Sequence, residues 1–236
     1  MNKATPAQLE KIGAIAADLV QPHQLVGLGS GKAALAFVRA LGARCRNGKL
    51  PIRGVPTSLL TEQVARESGI PLATLDEVES LDITVDGADE VDPALNLIKG
   101  GGGNLTREKV IASITKKFVI VVGEEKIVQQ LGTSFPVFIE LIEFAKPVVT
   151  RKLQSMGATI VQRTNADGSN FLTDNKNPYF HVTFHHGGST LIPEPAALDR
   201  ALHNIPGILE TGLFIGNTSE VIVAKFDDSV QRLRAR

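Results

Sequence analysis

Short apolar runs alternate with helical patterns through the first 122 residues, and this alternation limits the possible fold more than any other feature. The runs predicted to be strands are those within QLVGLGSG (24–31), Ile52–Val55, Pro71–Leu75, Ile83–Val85 and Phe118–Val122. The segments predicted to be helices are Pro6–Val20, Lys32–Leu41, Ser58–Ser68 and Thr106–Thr115. Apolar strands that alternate with helices indicate a parallel sheet covered on both faces. The sequence therefore predicts an α/β fold with a Rossmann-like parallel-sheet domain.

After Gly132 the pattern changes to that of a smaller domain. The segments FPVFIE, ATIVQR, FLTDN and YFHVTF are predicted strands, and Pro147–Met156 and Glu194–His203 are predicted helices. This order suits a small α+β domain of the ferredoxin-like type, with an antiparallel sheet. The tail segments GILETGLF and EVIVAKF are again strand-like and are expected to return to one of the sheets. We therefore expect an α/β domain of residues 1–131 and 206–236, with residues 132–205 inserted as the smaller domain.

The composition argues against several classes of protein. Lys plus Arg equals Asp plus Glu at 25 each, so no basic surplus attracts nucleic acid or anionic lipid. The N-terminal residues lack the order of a signal peptide, and no stretch approaches the roughly 18 apolar residues of a membrane span. Cys45 is the single cysteine, which allows no internal disulfide and suits a reducing compartment. We expect a cytoplasmic protein that binds neither nucleic acid nor membrane.

The segment DGADEVDPALNLIKGGGGNLTREK concentrates residue types that bind ligands. Asp86, Asp89 and Glu108 supply carboxylates, Lys99 supplies an ammonium, and four adjacent glycines lie between them. Adjacent glycines adopt backbone conformations closed to other residues and leave N–H groups uncovered for a ligand. A solvated acidic turn followed by a flexible linker is the alternative. The apolar helix and strand patterns that follow at once favour a site for a small, polar, oxygen-rich molecule.

A second glycine-rich loop precedes the second predicted helix. Only three residues separate Gly27 from Gly31, which is one too few for a Walker loop, and Lys32 stands where the dinucleotide fingerprint needs glycine. Two interpretations stay open: an anion site at a helix N-terminus beside a lysine, or a tight turn without a ligand. This loop, VPTS and VDGADE all follow predicted strands, at the sheet edge where α/β proteins bind ligands.

Three other features have weaker functional interpretations. His181, His185 and His186 could suggest a metal, but no acidic or cysteine partner lies near them in sequence, so an exposed strand and turn are favoured. Cys45 lies between arginines that could lower its pKa, yet no catalytic partner accompanies it. The segment TDN at 173–175 has the residue types of a turn.

Several motifs together resemble one known family. The segments VDGADEVDPALNLIKGGGGNLTREK, GLGSG, VPTS, FPV, TDN and IPGILETGLF resemble, in order and spacing, the signature of ribose-5-phosphate isomerase A. The likeness runs from about Leu9 to Phe226. It implies an α/β domain with a smaller α+β domain, and an enzyme that interconverts D-ribose 5-phosphate and D-ribulose 5-phosphate in the pentose phosphate pathway. It further implies a homodimer or homotetramer that uses no metal or organic cofactor.

The same resemblance implies roles for particular residues. Glu108 matches the general base that moves a proton between C2 and C1 through an enediolate, and Lys99 matches the lysine that stabilises the oxyanion. Asp86 and Asp89 match acids that contact the sugar hydroxyls and assist ring opening or proton transfer between oxygens. The residues expected to bind substrate are Ser30, Gly31, Lys32, Ala33, Gly87, Ala88, Gly100, Gly101, Gly102 and Lys126.

The chain departs from the family pattern in two places. The family usually has G-T-G-S-T in the first loop, where this chain has Gly29-Ser30-Gly31-Lys32-Ala33. We hypothesise that Lys32 restores the phosphate contact as a point charge. A lysine common near the family's N-terminus falls at Glu10, with Lys11 adjacent.

Two other classes of function compete with an isomerase. The first is a non-catalytic sugar-phosphate sensor, against which the retained acids and Lys99 argue, since a sensor does not need a base. The second is a different enzyme of similar architecture, such as an amino-sugar-phosphate deaminase or a CoA transferase. We find no motif that supplies the acyl-accepting carboxylate of a CoA transferase. The residue types agree with an isomerase, which needs one base, a cation at the developing oxyanion and a phosphate site.

Overall fold

The structure is a computed structural model that describes residues 3–46, 49–185 and 187–234. The helices are α1 (Pro6–Ala17), α2 (Lys32–Cys45), α3 (Leu59–Glu67), α4 (Leu105–Ser113), α5 (Lys146–Ser155) and α6 (Pro195–His203). The first strands are β1 (Leu25–Leu28), β2 (Arg53–Pro56), β3 (Ile83–Asp86), β4 (Glu90–Val91), β5 (Leu97–Ile98) and β6 (Phe118–Gly123). The later strands are β7 (Val137–Leu141), β8 (Ala158–Gln162), β9 (Tyr179–Phe184), β10 (Ile208–Thr211), β11 (Leu213–Phe214), β12 (Glu220–Ala224) and β13 (Val230–Arg234).

The described residues form two compact units. The first, here called the parallel-sheet unit, falls within Met1–Ala88, Arg107–Ile127 and Asn217–Arg236. The second, the antiparallel-sheet unit, falls within Asp89–Thr106 and Val128–Gly216. The sequence-based boundaries at 131/132 and 205/206 differ from these. The difference arises because β4 and β5 pair with β11, which groups Asp89–Thr106 with the later part of the chain.

The parallel-sheet unit contains a six-stranded sheet in the order β13-β12-β6-β3-β1-β2. Its five strands from β12 to β2 run parallel, and β13 pairs antiparallel to β12 at the edge. The predicted α/β fold with a parallel sheet is therefore confirmed. The edge strand β13 was not predicted, because its sequence VQRLR is mostly charged or polar and largely exposed.

The strand predicted at Pro71–Leu75 is wrong. The structure has only a bridge between Gly54 and Leu72 there, followed by a 3-10 turn at Leu75–Glu77. Two causes are visible. Pro71 has no N–H to donate to a sheet, and Thr74 forms a capping box with Glu77 that turns the chain.

The core of this unit lies between the sheet and the first two helices. Ile12 of α1 and Phe37 and Leu41 of α2 are fully buried against Val26 and Leu28 of β1. Burial of each such side chain contributes about 1.5–3 kcal/mol relative to exposure. Helix α1 starts where predicted, since Thr5 and the Gln8 side chain form a capping box.

The antiparallel-sheet unit has the predicted ferredoxin-like arrangement. Its elements follow the order β7-α5-β8-β9-α6-β10, and the sheet order is β10-β7-β9-β8 with antiparallel pairing throughout. The strand predicted at FLTDN is wrong. Thr173 instead begins a turn, with a bridge between Leu172 and Pro178 beside it.

A small third sheet belongs to the same unit. It has the order β11-β5-β4, and each of these strands is two residues long. Runs this short carry no readable alternation of polar and apolar side chains, so the sequence did not predict them. Among the described residues, no helix is both long and apolar enough to cross a bilayer.

Candidate active site

Asp86 ends β3 and is fully buried in the parallel-sheet unit. Its Oδ1 accepts hydrogen bonds from the N–H groups of Ser30, at 2.9 Å, and Gly87, at 2.8 Å. A Cβ on Gly29 would lie 2.5 Å from the Asp86 Cα, so only glycine allows the two strand ends to approach this closely. The first glycine loop thus holds the Asp86 carboxylate in one orientation. Ala88 follows, half-buried.

The Ser30 side chain points into a cluster of hydroxyl groups. Its Oγ lies 2.8 Å from Thr57 Oγ1, 2.9 Å from Ser58 Oγ and 3.2 Å from Thr61 Oγ1. Thr61 also donates to the carbonyl of Gly29. These bonds join the GLGSG loop to VPTS and the first turn of α3. The cluster therefore fixes the shape of the loop, while substrate binding by Ser30 stays a prediction.

Gly31 and Lys32 form the N-terminus of α2, as the sequence predicted. Gly31 is the N-cap, with φ of 85°, and it provides no side-chain cap. Lys32 is exposed and Ala33 is half-buried. The first N–H groups of a helix bind anions, and an adjacent ammonium adds to the attraction. This geometry suits a phosphate.

Glu108 lies in the first turn of α4 and is 5% exposed. Helix α4 leads directly into β6, so its N-terminus lies at the edge where β1, β3 and β6 end. Lys126 lies in a 3-10 turn directly after β6 and is half-buried. The parallel-sheet unit therefore gathers Asp86, the first glycine loop, Glu108 and Lys126 at one edge, which is the usual ligand-binding edge of such sheets.

Asp89 and Lys99 lie side by side in the antiparallel-sheet unit. Strand β4 pairs with β5 with Glu90 opposite Ile98, so Asp89 and Lys99 are the next residues in register. The Asp89 N–H donates to the Ile98 carbonyl at 2.8 Å, and the Lys99 N–H donates to the Gly212 carbonyl at 2.9 Å. Lys99 is only 2% exposed, and its ammonium lies 5.3 Å from the centre of the Phe214 ring.

The glycine run after Lys99 is held in place by specific hydrogen bonds. Tyr179, fully buried, donates from Oη to the Gly100 carbonyl at 2.5 Å. The Gly101 N–H donates to Asp89 Oδ2 at 2.8 Å, and the Gly103 N–H donates to the Gly100 carbonyl at 2.8 Å. Two of the N–H groups that we expected to be uncovered are therefore occupied. Gly101 and Gly102 are exposed at the loop surface.

The histidines named as possible metal ligands have other surroundings. His181 packs edge-on against Phe138 at 5.0 Å between ring centres, and burial, followed by the Arg163 charge, lowers its pKa. His185 Nε2 lies 2.9 Å from Thr159 Oγ1. His186 lies outside the described residues. Burial raises the pKa of the Cys45 thiol despite the Arg44 charge, opposite to the shift that the sequence suggested.

A group that could hold a metal lies elsewhere in the antiparallel-sheet unit. Among the described residues, Asp199, His203 and Glu210 bring possible ligand atoms within 4.8 Å of one another. Both ring nitrogens of His203 are already in hydrogen-bond contacts, at 2.7 Å to Glu210 Oε1 and 2.9 Å to the Asp199 carbonyl. We interpret the group as a set of hydrogen bonds that holds α6 against β10.

Comparison with known proteins places the chain in a family. Residues 53–228 match the family model of ribose 5-phosphate isomerase A (phosphoriboisomerase A). The chain belongs to this family. Ribose-5-phosphate isomerase A of Thermosynechococcus vestitus is 44% identical over 236 residues, covering 99% of this chain and 98% of that protein. The isomerase A of Desulfatibacillum aliphaticivorans is 45% identical over 90% of each chain.

Solved structures of ribose 5-phosphate isomerases have the same fold. The isomerase A of Methanocaldococcus jannaschii matches with a TM-score of 0.90 and 36% identity, over 98% of this chain and 100% of that chain. A D-ribose-5-phosphate isomerase in complex with phospho-erythronic acid matches with a TM-score of 0.91 and 35% identity, over 99% of this chain and 100% of that chain.

Sequence reasoning about this isomerase A family member missed several residues around the predicted site. Tyr179, Phe214, Thr61 and Glu140 all contact predicted site residues or the loops beside them. Phe214 lies in a quoted motif, IPGILETGLF, so the motif signalled its segment but gave it no role. Tyr179 and Glu140 carry no local signal, since the residues with which they form these hydrogen bonds lie at least 33 positions away in sequence.

Proposed function

We propose that the protein interconverts D-ribose 5-phosphate and D-ribulose 5-phosphate through an enediolate, as an aldose–ketose isomerase of the non-oxidative pentose phosphate pathway. The observation that carries this proposal is the near-complete match to ribose-5-phosphate isomerase A, at 44% identity over 99% of the chain. The relative that binds phospho-erythronic acid adds support. That ligand combines a phosphate with a carboxylate, whose two oxygens resemble those of an enediolate.

Glu108 is proposed as the general base and Lys99 as the oxyanion partner. In the forward direction the Glu108 carboxylate removes the proton from C2 of the open-chain aldose and returns it to C1. The bond between C1 and its oxygen becomes single while the bond between C2 and its oxygen becomes double. The Lys99 ammonium stabilises the negative oxygen of the enediolate. Both residues are buried, at 5% and 2% exposed, which strengthens electrostatic interactions with a bound sugar.

Asp86 and Asp89 are proposed to handle the sugar hydroxyls. Ribose 5-phosphate is mainly cyclic in water, so a group must assist ring opening before the proton leaves C2. A second proton must move between the oxygens on C1 and C2 as the enediolate forms and collapses. Each Asp carboxylate is oriented by backbone N–H groups, which supports a fixed position for such a transfer.

Ten further residues are proposed to bind the substrate. They are Ser30, Gly31, Lys32, Ala33, Gly87, Ala88, Gly100, Gly101, Gly102 and Lys126. The N-terminus of α2 with Lys32 is the proposed phosphate site, because it joins helix N–H groups to an exposed ammonium.

Lys32→Ala is expected to raise the KM for ribose 5-phosphate about tenfold or more, because a hydrogen bond between charged groups contributes about 1.5–3 kcal/mol. Steady-state kinetics measure the change, with kcat largely retained. Arg39→Ala is the matched control, since it removes a positive charge from an exposed position of the same helix. A KM for Lys32→Ala equal to that of the parent would show that Lys32 does not bind the phosphate.

The activity itself is tested by following ribulose 5-phosphate formation from ribose 5-phosphate in the presence and absence of EDTA. We expect equal turnover in both, since the proposed mechanism uses only side chains of the protein. Binding of ribose 5-phosphate without turnover would favour a sensor. Ammonia release from an amino-sugar phosphate, with no isomerisation, would favour a deaminase.

We further infer a cytoplasmic enzyme that works as a homodimer or homotetramer. Cys45, the single cysteine of the chain, is buried, and its lack of an internal disulfide partner is consistent with a reducing compartment. Sedimentation at several protein concentrations would report the oligomeric state.

A further inference from the structure

Glu140 is a fully buried carboxylate to which the proposed reaction gives no role. It lies on β7, inside the antiparallel-sheet unit, with none of its surface exposed. Four side-chain donors surround it. Thr106 donates to Oε2 at 2.6 Å, while Thr173, Asn175 and Asn177 donate to Oε1 at 2.9, 3.2 and 2.9 Å. This network explains why TDN forms a turn here, since its Thr and Asn side chains point at Glu140.

A buried carboxylate with four hydrogen-bond donors stabilises a core no better than apolar side chains would. Removing a carboxylate from water costs several kcal/mol, and well-packed apolar residues of similar volume often stabilise a fold as well or better. The donors offset the cost, but the arrangement chiefly restricts geometry: each donor must stay where it meets the carboxylate. The question is which of the four donors matters for the reaction.

Thr106 is the donor that connects the network to the proposed base. It belongs to the first turn of α4, two residues before Glu108. Two residues correspond to a rotation of about 200° and a rise of about 3 Å along a helix. The two side chains therefore leave α4 on nearly opposite sides. A hydrogen bond that holds Thr106 fixes the rotation of the first turn about the helix axis, and with it the direction in which Glu108 leaves the helix.

We propose that Glu140, acting through Thr106, is a positioning residue for Glu108. This inference rests on the proposed function, in which Glu108 is the base. Glu140 itself is assigned no contact with substrate. Thr173 and Asn175 of the TDN turn donate hydrogen bonds to Oε1 of its carboxylate, and the Thr106 hydroxyl donates to Oε2. The bond to Thr106 fixes the orientation of the first turn of α4.

Thr106→Val tests the proposal, because valine keeps the shape of threonine and removes the hydroxyl. We expect kcat to fall about tenfold or more with little change in KM, since a displacement near 1 Å at a reacting group can cost on the order of 100-fold. Thr106→Ser, which keeps the hydroxyl, is expected to restore most of the kcat.

Thr173→Val is the matched control. It removes the hydroxyl that donates to Oε1 of the Glu140 carboxylate, but Thr173 does not belong to α4. Thermal unfolding shows how far each variant is destabilised. A positioning role requires Thr106→Val to lower kcat at least several-fold more than Thr173→Val does at similar loss of stability. Equal effects of the two variants on kcat, or no effect of Thr106→Val, would overturn the proposal.

A double variant separates this proposal from the assignment of the base. In the Glu108→Gln background, Thr106→Val is expected to lower the residual rate no further, because it acts through Glu108. A further loss in that background would overturn the positioning role. High turnover by Glu108→Gln alone would instead remove the assignment of Glu108 as base, whatever Thr106→Val does.

Discussion

Glu108→Gln is expected to lower the kcat for isomerisation of ribose 5-phosphate between about a hundred- and ten-thousand-fold, to a slow residual rate that is still measurable. Glutamine keeps the size and hydrogen-bonding shape of the side chain in the first turn of α4 but has no carboxylate to accept the C2 proton. Binding of ribose 5-phosphate, measured by calorimetry, is expected to change little. The split between lost turnover and retained binding is the signature of a base.

The matched control is Glu62→Gln, the same substitution in the first turn of α3. Glu62 is paired with Arg66 and lies among the residues given no role in the reaction, so normal turnover is expected. Heavy water supplies a second measurement. The parent is expected to introduce solvent deuterium on the carbon that receives the proton, to the extent that the protonated Glu108 carboxyl exchanges with solvent before it returns the proton, and Glu108→Gln is expected to introduce far less in the same time. Near-normal turnover by Glu108→Gln would remove Glu108 from the role of base.

Lys99→Met is expected to lower kcat about a hundred- to thousand-fold, as removal of a preorganised oxyanion partner typically does. Methionine retains most of the apolar stem that lies beside Phe214 in a buried position, so the main change is loss of the ammonium. Circular dichroism and thermal unfolding check that the variant folds. Steady-state kinetics measure the loss.

An inhibitor distinguishes loss of the oxyanion partner from a general loss of affinity. Phospho-erythronic acid carries a carboxylate where the enediolate would carry its charge. Lys99→Met is therefore expected to raise the inhibition constant of this compound by a larger factor than it raises the KM for ribose 5-phosphate. Lys152→Met, at an exposed position of α5, serves as the control for a lost positive charge. Unchanged kcat in Lys99→Met would exclude the proposed role.

Much of the architecture was predictable because it depends on local periodicity. The apolar runs that became β1, β3 and β6 are buried at nearly every position, which is the pattern of parallel strands covered on both faces. The order of elements after Gly132 was enough to indicate the ferredoxin-like unit. Both incorrect strand predictions fell where side-chain hydrogen bonds turn the chain. In one case Thr74 and Glu77 form a capping box with the backbone, and in the other Thr173 of the TDN turn donates to the distant Glu140.

For the predicted site too, the sequence indicated some residues and gave no sign of others. Family motifs indicated Asp86, Asp89, Lys99 and Glu108, and the structure places each at a strand end, a strand register or a helix N-terminus. The catalytic roles themselves stay predictions for the variants above to test. The supporting residues were not indicated. Tyr179 reaches Gly100 across 79 residues of sequence, and no local pattern marks such a pair.

The sequence alone determined where the helices and the longer apolar strands form and which family the chain resembles, because both depend on residue types at short, regular spacing. Only the tertiary structure decided that the Asp86 backbone comes so near Gly29 that no side chain fits there, and that Glu140 receives the Thr106 hydroxyl from 34 positions away. The reason is physical. A hydrogen bond or a close approach between distant residues depends on how elements pack, and packing is set by the whole core and not by any one segment of it.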